Sequence, residues 1–144
     1  MINKFGYYLK LGKVKRKTPD FEEAKSLFKK AENRLDYTKS KDINQKTAQF
    51  VLEDSYEGIR ESAQALMSIK GFKPYSHEAT ISFIKEFYSS SFSEEEVRKF
   101  NRFRILRNDS IYSAKPVSNE DAKSSFLFAI EFINKVRLLL NKLK

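Results

Sequence analysis

Apolar side chains recur at every third or fourth position through five stretches of this sequence. This spacing places them along one face of an α-helix, and it restricts the fold more than any other feature of the chain. The 144 residues include four glycines and three prolines, which are too few for the many turns of a β-sandwich or barrel. No Asn-Gly or Asp-Gly pair marks a hairpin. We therefore expect an all-α protein.

Capping residues divide the periodic stretches into four long helices and one short helix. A short polar side chain before a helix accepts hydrogen bonds from the first turn, and a glycine favours the end of a helix. The predicted helices begin after Asp20, Asp42, Ser76, Ser93 and Ser118, the one after Ser76 being short. Gly71 is placed to end the second helix. Brief connections between such helices predict an antiparallel up-and-down bundle that forms one domain over residues 1–144.

Positive charge is concentrated in two parts of the chain. The sequence has 28 Lys and Arg against 19 Asp and Glu, a net charge of +9. Residues 1–18 form a basic N-terminal segment with six cations and no acid, and we expect them to add little to the core. Residues 98–107 hold five more cations, alternating with Phe100 and Phe103. Both blocks suit a polyanion. Alternatively, the lysines are solvated and the arginines are balanced by nearby acids.

Cysteine and histidine usage excludes several kinds of site. The chain has no cysteine and a single histidine, His77. Thiolate chemistry and multi-histidine metal sites are therefore excluded, and we expect no metal and no cofactor. No apolar stretch reaches the roughly 18 residues that a membrane-spanning helix needs. We expect a soluble, cytoplasmic protein that does not bind membranes.

A polar face on the predicted fourth helix is the leading candidate for a binding site. Two arginines and two asparagines, three or four residues apart, share one side of this helix. They are Asn101, Arg104, Arg107 and Asn108, and Arg102 belongs to the same block. Guanidinium groups match phosphate oxygens, and Asn amides bind sugar or base, which predicts an RNA or nucleotide ligand. In the alternative, the arginines pair with acids of the second helix, which are Asp54, Glu57 and Glu61.

Several segments together resemble the HEPN family, the higher eukaryotes and prokaryotes nucleotide-binding domains. The resemblance extends from about Gly12 to Leu140. Its parts are residues 24–35, residues 56–66 leading into Gly-Phe-Lys-Pro-Tyr-Ser-His at 71–77, Leu-Arg-Asn at 106–108, and a closing helix after Val117-Ser118. The order of these parts along the chain carries the resemblance.

The resemblance implies a helical bundle that forms a homodimer, with an Arg-x4-6-His motif from each copy at a shared cleft. Active members of the family cleave RNA without a metal, whereas others bind nucleotides or act with a small nucleotidyltransferase as toxin and antitoxin. Arg107 and Asn108 match the first half of the motif, but Tyr112, Ser113 and Ala114 stand where the histidine is expected. A tyrosine with a pKa near 10 exchanges protons poorly at pH 7, which predicts weak or lost ribonuclease activity.

The sequence therefore predicts an HEPN-like protein that binds RNA or a nucleotide and carries a degenerate Arg-Asn-x3-Tyr motif. The candidate catalytic residues are Arg107, Asn108 and Tyr112, and the candidate nucleic-acid-binding residues also include Asn101, Arg102 and Arg104. One alternative is an active metal-independent endoribonuclease or toxin, in which Tyr112 or His77 transfers protons. Another is a non-catalytic partner of a small nucleotidyltransferase. For His77 itself, the alternative is a surface or capping role.

Overall fold

The computed structural model describes residues 1–143, which form six helices and one two-stranded sheet. The helices are α1 (Phe5–Lys10), α2 (Phe21–Lys39), α3 (Ala48–Lys70), α4 (His77–Phe87), α5 (Glu94–Ser113) and α6 (Asn119–Asn141). The strands are β1 (Val14–Arg16) and β2 (Phe72–Pro74), which pair in antiparallel orientation. The predicted helical class is confirmed, and the small sheet is an addition to it.

Four of the predicted helix starts are confirmed by capping hydrogen bonds. At the start of α2, the Asp20 side chain accepts a hydrogen bond from the N–H of Glu23 at 2.9 Å. This bond satisfies one of the backbone donors that the first turn of a helix leaves without a partner. The corresponding caps of α4, α5 and α6 are Ser76, Ser93 and Ser118.

Gly71 ends α3 as predicted, because it adopts a left-handed conformation with a φ of 84°. A Cβ at this position would lie 2.7 Å from the carbonyl oxygen of Lys17, so a larger residue meets both backbone strain and a clash. The N–H of Lys17 donates to the carbonyl oxygen of Gly71 at 2.8 Å. The end of α3 is therefore joined directly to the residue that follows β1.

The start of α3 differs from the prediction, because the helix begins at Ala48 rather than after Asp42. The side chain of Asn44 accepts hydrogen bonds from the N–H groups of Lys46 and Thr47, at 2.8 and 3.1 Å. The hydroxyl of Thr47 donates to the carbonyl oxygen of Asp42. These local bonds offer the backbone an alternative to the helix, so residues 42–47 lie outside α3 and residues 45–47 form a turn.

The basic N-terminal segment contributes to the core, contrary to expectation. Phe5, Tyr8 and Val14 are buried, and the ring of Phe5 contacts that of Phe72 edge-on at a centroid distance of 5.0 Å. The N–H of Phe5 also donates to the carboxylate of Glu86, which ties α1 to α4. A six-residue helix and a three-residue strand are too short to show a periodic pattern, so periodicity did not reveal them.

Helix α3 is at the centre of the molecule and contacts α2, α4, α5 and α6. Its apolar stripe is buried along the whole helix and consists of Ala48, Val51, Leu52, Tyr56, Ile59, Ala63, Leu66 and Met67. Polar residues that flank this stripe are held against the neighbouring helices. None of the helices within residues 1–143 is long and apolar enough to cross a membrane.

Candidate functional site

Charged and polar side chains gather where α3, α4 and α5 meet. On α5, Arg104 and Arg107 follow the buried Phe100 and Phe103 by one helical turn, so both arginines lie on the side that faces α3. His77 is the first residue of α4. We call the following set the arginine–histidine cluster: Tyr56, Glu57, Arg60, His77, Arg104 and Arg107.

Arg107 is mostly buried and uses few of its hydrogen-bond donors. Its Nη2 lies 3.3 Å from Oε1 of Glu57, and its Nη1 donates to Oδ1 of Asn108 at 3.2 Å. The guanidinium carbon is 5.9 Å from the centre of the Tyr56 ring. Within the described residues, Nε of Arg107 and Oε1 of Glu57 are buried without a hydrogen-bond partner. The contact between the two side chains is therefore an ion pair without a well-aligned hydrogen bond.

Glu57 is fixed by a second arginine of its own helix. Nε and Nη2 of Arg60 donate to Oε2 of Glu57 at 3.2 and 2.7 Å. Burial alone raises the pKa of Glu57, but the hydrogen bond and charge of Arg60, with the charge of Arg107, bring this pKa below its usual value. Glu57 is thus a carboxylate at neutral pH that holds two guanidinium groups side by side.

The other two acids of α3 that were candidate partners for Arg107 face α2 instead. Nε of Arg34 donates to Oε1 of Glu61 at 2.8 Å, and its Nη1 donates to Oδ1 of Asp54 at 3.2 Å. Only Glu57 of the three acids contacts Arg107. The intrachain alternative for Arg107 is thus realised in part, through one carboxylate.

His77 belongs to the cluster and is held by a buried tyrosine. Nδ1 of His77 lies 3.0 Å from the hydroxyl oxygen of Tyr56. Burial lowers the pKa of His77, and the positive charges of Arg60, Arg107 and Arg104 lower it further. Sequence reasoning treated His77 as an alternative to Tyr112, and the structure brings His77 into the electric field of Arg104 and Arg107 on α5.

The Tyr56 hydroxyl contacts only one of the two ring nitrogens of His77. Burial raises the pKa of Tyr56, so its hydroxyl keeps the proton and remains a hydrogen-bond partner for Nδ1 of His77. In the part of the chain that the structure describes, Nε2 of His77 has no hydrogen-bond partner. The ring is thus oriented through one nitrogen while the other is able to bind a ligand.

Arg104 also has donors left for a ligand. Its Nε donates to Oδ1 of Asn101 at 2.9 Å, and its Nη1 is 3.8 Å from Oε1 of Glu78, too far for a hydrogen bond. The side chain is 15% exposed. Asn101 therefore positions the guanidinium group of Arg104, as Asn108 does for that of Arg107.

Two other candidate residues lie apart from the cluster. Nη2 of Arg102 donates to Oδ1 of Asp121 on α6 at 2.7 Å. Tyr112 is 77% exposed, and because it follows Arg107 by five residues, its side chain is turned by about 140° around the helix. The structure therefore brings together Arg104, Arg107, Asn101 and Asn108 but not Tyr112 or Arg102.

Tyr56 and Arg60 are site residues that sequence reasoning missed. Both lie in the segment 56–66 that carries part of the family resemblance, but neither was given a role in the site. The spacing of Glu57 and Arg60, three residues apart on one helix, is a signal for their ion pair. No comparable local signal connects Tyr56 with His77, which lies 21 positions further along the chain.

A scan against models of protein families and a search of curated proteins give no match to this chain. The similarity to the HEPN family therefore stays a prediction that rests on the residues given above.

Proposed function

We propose that this chain is an HEPN-like protein that binds a phosphate group of RNA or of a nucleotide at the arginine–histidine cluster. The observation that supports this most is the convergence of Arg104, Arg107 and His77. Each is held by a neighbour, the two arginines keep N–H donors unused, and Nε2 of His77 is without a partner in the described residues. A guanidinium group has five N–H donors in a planar fork that fits phosphate oxygens.

Charge and burial favour an anion at this place. Three arginines stand against Glu57 and the more distant Glu78, so the cluster is positive even while His77 is neutral. Arg104 and Arg107 are 15% and 17% exposed. Charges that are partly removed from water interact more strongly with a ligand than charges on an open surface.

The proposal is tested by following His77 in NMR spectra while uridine monophosphate is added. Because His77 is the single histidine of the chain, its imidazole protons give one set of signals. A bound phosphate favours the protonated ring, so the pKa of His77 should rise on binding. Arg107→Ala should abolish that rise, whereas Arg102→Ala, which alters the pair with Asp121, should preserve it. An unchanged His77 pKa at saturating nucleotide overturns the proposal.

A second candidate function, metal-independent ribonuclease activity, is favoured by the position of His77. In this reaction the 2′-hydroxyl oxygen of RNA attacks the adjacent phosphorus, the bond from phosphorus to the 5′-oxygen of the next nucleotide breaks, and that oxygen takes a proton from solvent water. The lowered pKa of His77 keeps the imidazole neutral near neutral pH. When the Nδ1–H of this neutral ring donates to the Tyr56 hydroxyl, Nε2 carries no proton. Nε2 then accepts the proton of the 2′-hydroxyl. Arg107 stabilises the negative charge that develops on the phosphate oxygens.

Cleavage of labelled RNA in the presence of EDTA tests this second candidate. His77→Asn and Arg107→Ala should each abolish cleavage while leaving the chain folded. Tyr112→Phe should have no effect, because Tyr112 lies apart from the cluster. If the parent cleaves RNA and Tyr112→Phe does not, the proton is transferred by tyrosine and the role given to His77 is wrong.

We also infer that the long helices form the antiparallel up-and-down bundle of the sequence prediction. The order of contacts along neighbouring helices supports this arrangement. Near the end of α3, Ser68 contacts Glu23 near the start of α2, whereas Asp54 near the start of α3 contacts Arg34 near the end of α2. For α5 and α6, Arg102 contacts Asp121 and Glu96 contacts Lys135, again in opposite order.

Homodimerisation is part of the same proposal. Ile105, Ile111 and Tyr112 on α5 are exposed apolar or aromatic side chains, which suit a contact between copies. The family resemblance supports a small nucleotidyltransferase as partner. We also propose a cytoplasmic location, with which the absence of cysteine in the sequence is compatible. Sedimentation of the purified chain, alone and with such a partner, distinguishes the two kinds of assembly.

A further inference from the structure

The two-stranded sheet presents lysines and one tyrosine on its outer face. Side chains alternate along a strand, and the buried Val14 marks the inner face of β1. Lys15 is paired with Lys73 across the sheet. Just beyond the end of the paired strands, the N–H of Tyr75 donates to the carbonyl oxygen of Lys13. We call this exposed set the lysine–tyrosine face: Lys13, Lys15, Lys73 and Tyr75.

Like charges in direct cross-strand pairs destabilise a sheet. Nζ of Lys15 and Nζ of Lys73 lie 5.4 and 5.6 Å from the centre of the same Tyr75 ring. In the described residues, these two lysines and Lys13 form no salt bridge with an acid. The ring of Tyr75 is 53% exposed. An exposed ring close to two cations without acidic partners is complementary to a ligand with flat aromatic groups and regularly spaced negative charges.

We propose that the lysine–tyrosine face binds single-stranded RNA, with one base stacked on Tyr75 and adjacent phosphates on Lys15 and Lys73. Bases stack on exposed aromatic side chains while lysines follow the backbone in proteins that bind single strands. An acidic peptide provides the charge but no base for the ring, and it is the competing ligand. The inference deepens the proposed function, on which it rests for the RNA ligand.

The face is close to the arginine–histidine cluster along the chain. Tyr75 precedes His77 by two residues, which spans about 7 Å of extended backbone. Ser76 between them caps α4 through the N–H of Ala79 at 3.1 Å, so the segment is held in place. A single RNA strand with one phosphate in the cluster therefore reaches Tyr75 with a neighbouring nucleotide.

The test measures binding of two probes, uridine monophosphate and a labelled 12-nucleotide oligouridine RNA. Tyr75→Ala should weaken oligouridine binding by about 5- to 100-fold, the range for loss of one stacked base. The double change Lys15→Gln and Lys73→Gln should reduce the log-log salt slope by about 1.4, since each lost phosphate contact in a single strand contributes about 0.7. Neither change should alter the binding of uridine monophosphate.

Tyr37→Ala is the matched control. Tyr37 is an exposed tyrosine on α2, with Nζ of Lys41 4.4 Å from its ring centre, so it has similar chemistry on another element. This variant should bind both probes as the parent does. The melting temperature of each variant shows that it is folded.

The outcomes separate this inference from the proposed function. If Arg107→Ala abolishes binding of both probes while Tyr75→Ala and the lysine changes alter neither, the lysine–tyrosine face is wrong and the proposed function stands. If oligouridine binding depends on Tyr75 and the lysines but not on Arg107, the face is supported and the proposed function fails. If polyglutamate binds as tightly as oligouridine and Tyr75→Ala changes neither affinity, the surface binds any polyanion and the inference is overturned.

Discussion

Two arginines that contact α3 from different helices, Arg34 on α2 and Arg107 on α5, illustrate different uses of the same chemistry. Arg34 donates to Glu61 through Nε and Nη2 and to Asp54 through Nη1, at 2.8, 3.2 and 3.2 Å. Arg107 makes one hydrogen bond, to Asn108, and a looser ion pair with Glu57. A guanidinium whose fork is filled by carboxylates stabilises the fold, whereas one with unused donors remains available for a ligand.

The largest effect that distinguishes the two arginines should come from Arg34→Ala. It leaves Glu61, which is 2% exposed, with only Lys30 at 3.4 Å as a charged partner. Removal of one partner from a buried ion pair costs about 3 kcal/mol, and urea unfolding should show a loss of this order. Lys25→Ala, at an exposed position on the same helix, is the control. Equal stability of the two variants contradicts a structural role for Arg34.

Arg107→Ala should destabilise the fold less, by about 1 kcal/mol. Glu57 keeps the two hydrogen bonds from Arg60, so no carboxylate is stranded. Binding of uridine monophosphate, measured by calorimetry, should nevertheless be lost. A destabilisation as large as that of Arg34→Ala would show that the two arginines have the same structural role.

The pH dependence of stability should sharpen the contrast on the α5 side. The pKa of His77 in the folded chain is below its ordinary value of 6.5. As the pH falls below 6.5, the unfolded chain therefore binds a proton at His77 more readily than the folded chain does. The contribution of His77 to the free energy of unfolding is therefore fully present above pH 6.5 and is lost as the pH falls below this value. Burial lowers this pKa most, the charges of Arg60, Arg107 and Arg104 lower it further, and the charge of Glu57 raises it.

Melting temperatures at pH 7.5 and pH 5 of the parent and of His77→Asn measure this contribution. The variant should lose less stability than the parent over that interval, because its side chain does not titrate. Equal losses in the two proteins indicate that the pKa of His77 is not lowered by the cluster.

Tyr112→Ala should have the smallest effect on the folded chain, within about 0.5 kcal/mol, because its side chain is exposed. If the exposed end of α5 forms a contact between copies, the same change should shift sedimentation toward the monomer. Lys99→Ala, at another exposed position on α5, is the control. A large loss of stability without a change in assembly would show that Tyr112 packs within its own chain.

Sequence reasoning succeeded where local rules determine the structure. Apolar spacing and polar caps located four helix starts, and the conformational freedom of Gly71 ended α3. The start of α3 was misplaced because side chain to backbone bonds of Asn44 and Thr47 compete with the helix.

The site was predictable in part, for the same physical reason. Helical spacing brings Arg104 and Arg107 to one face, so these two members of the cluster were in the prediction. The approach of His77 to Tyr56 depends on how α4 packs against α3, which joins residues 21 positions apart. Sheet pairing of β1 with β2 likewise needs the fold to be complete, and no local pattern marks such short strands.

The same sheet has a consequence for how the chain is made. Arg16 and Phe72 are cross-strand partners, 72 − 16 = 56 positions apart, so the pairing closes a loop that contains all of α2 and α3. At roughly 5–20 residues per second of synthesis, β2 follows β1 from the ribosome by about 3 to 11 s. During that interval Phe5, Tyr8 and Val14 have no strand or helix to bury them. The residues of α1 and β1 are thus synthesised before α2 and α3 but reach their final place only after both of these helices have been completed.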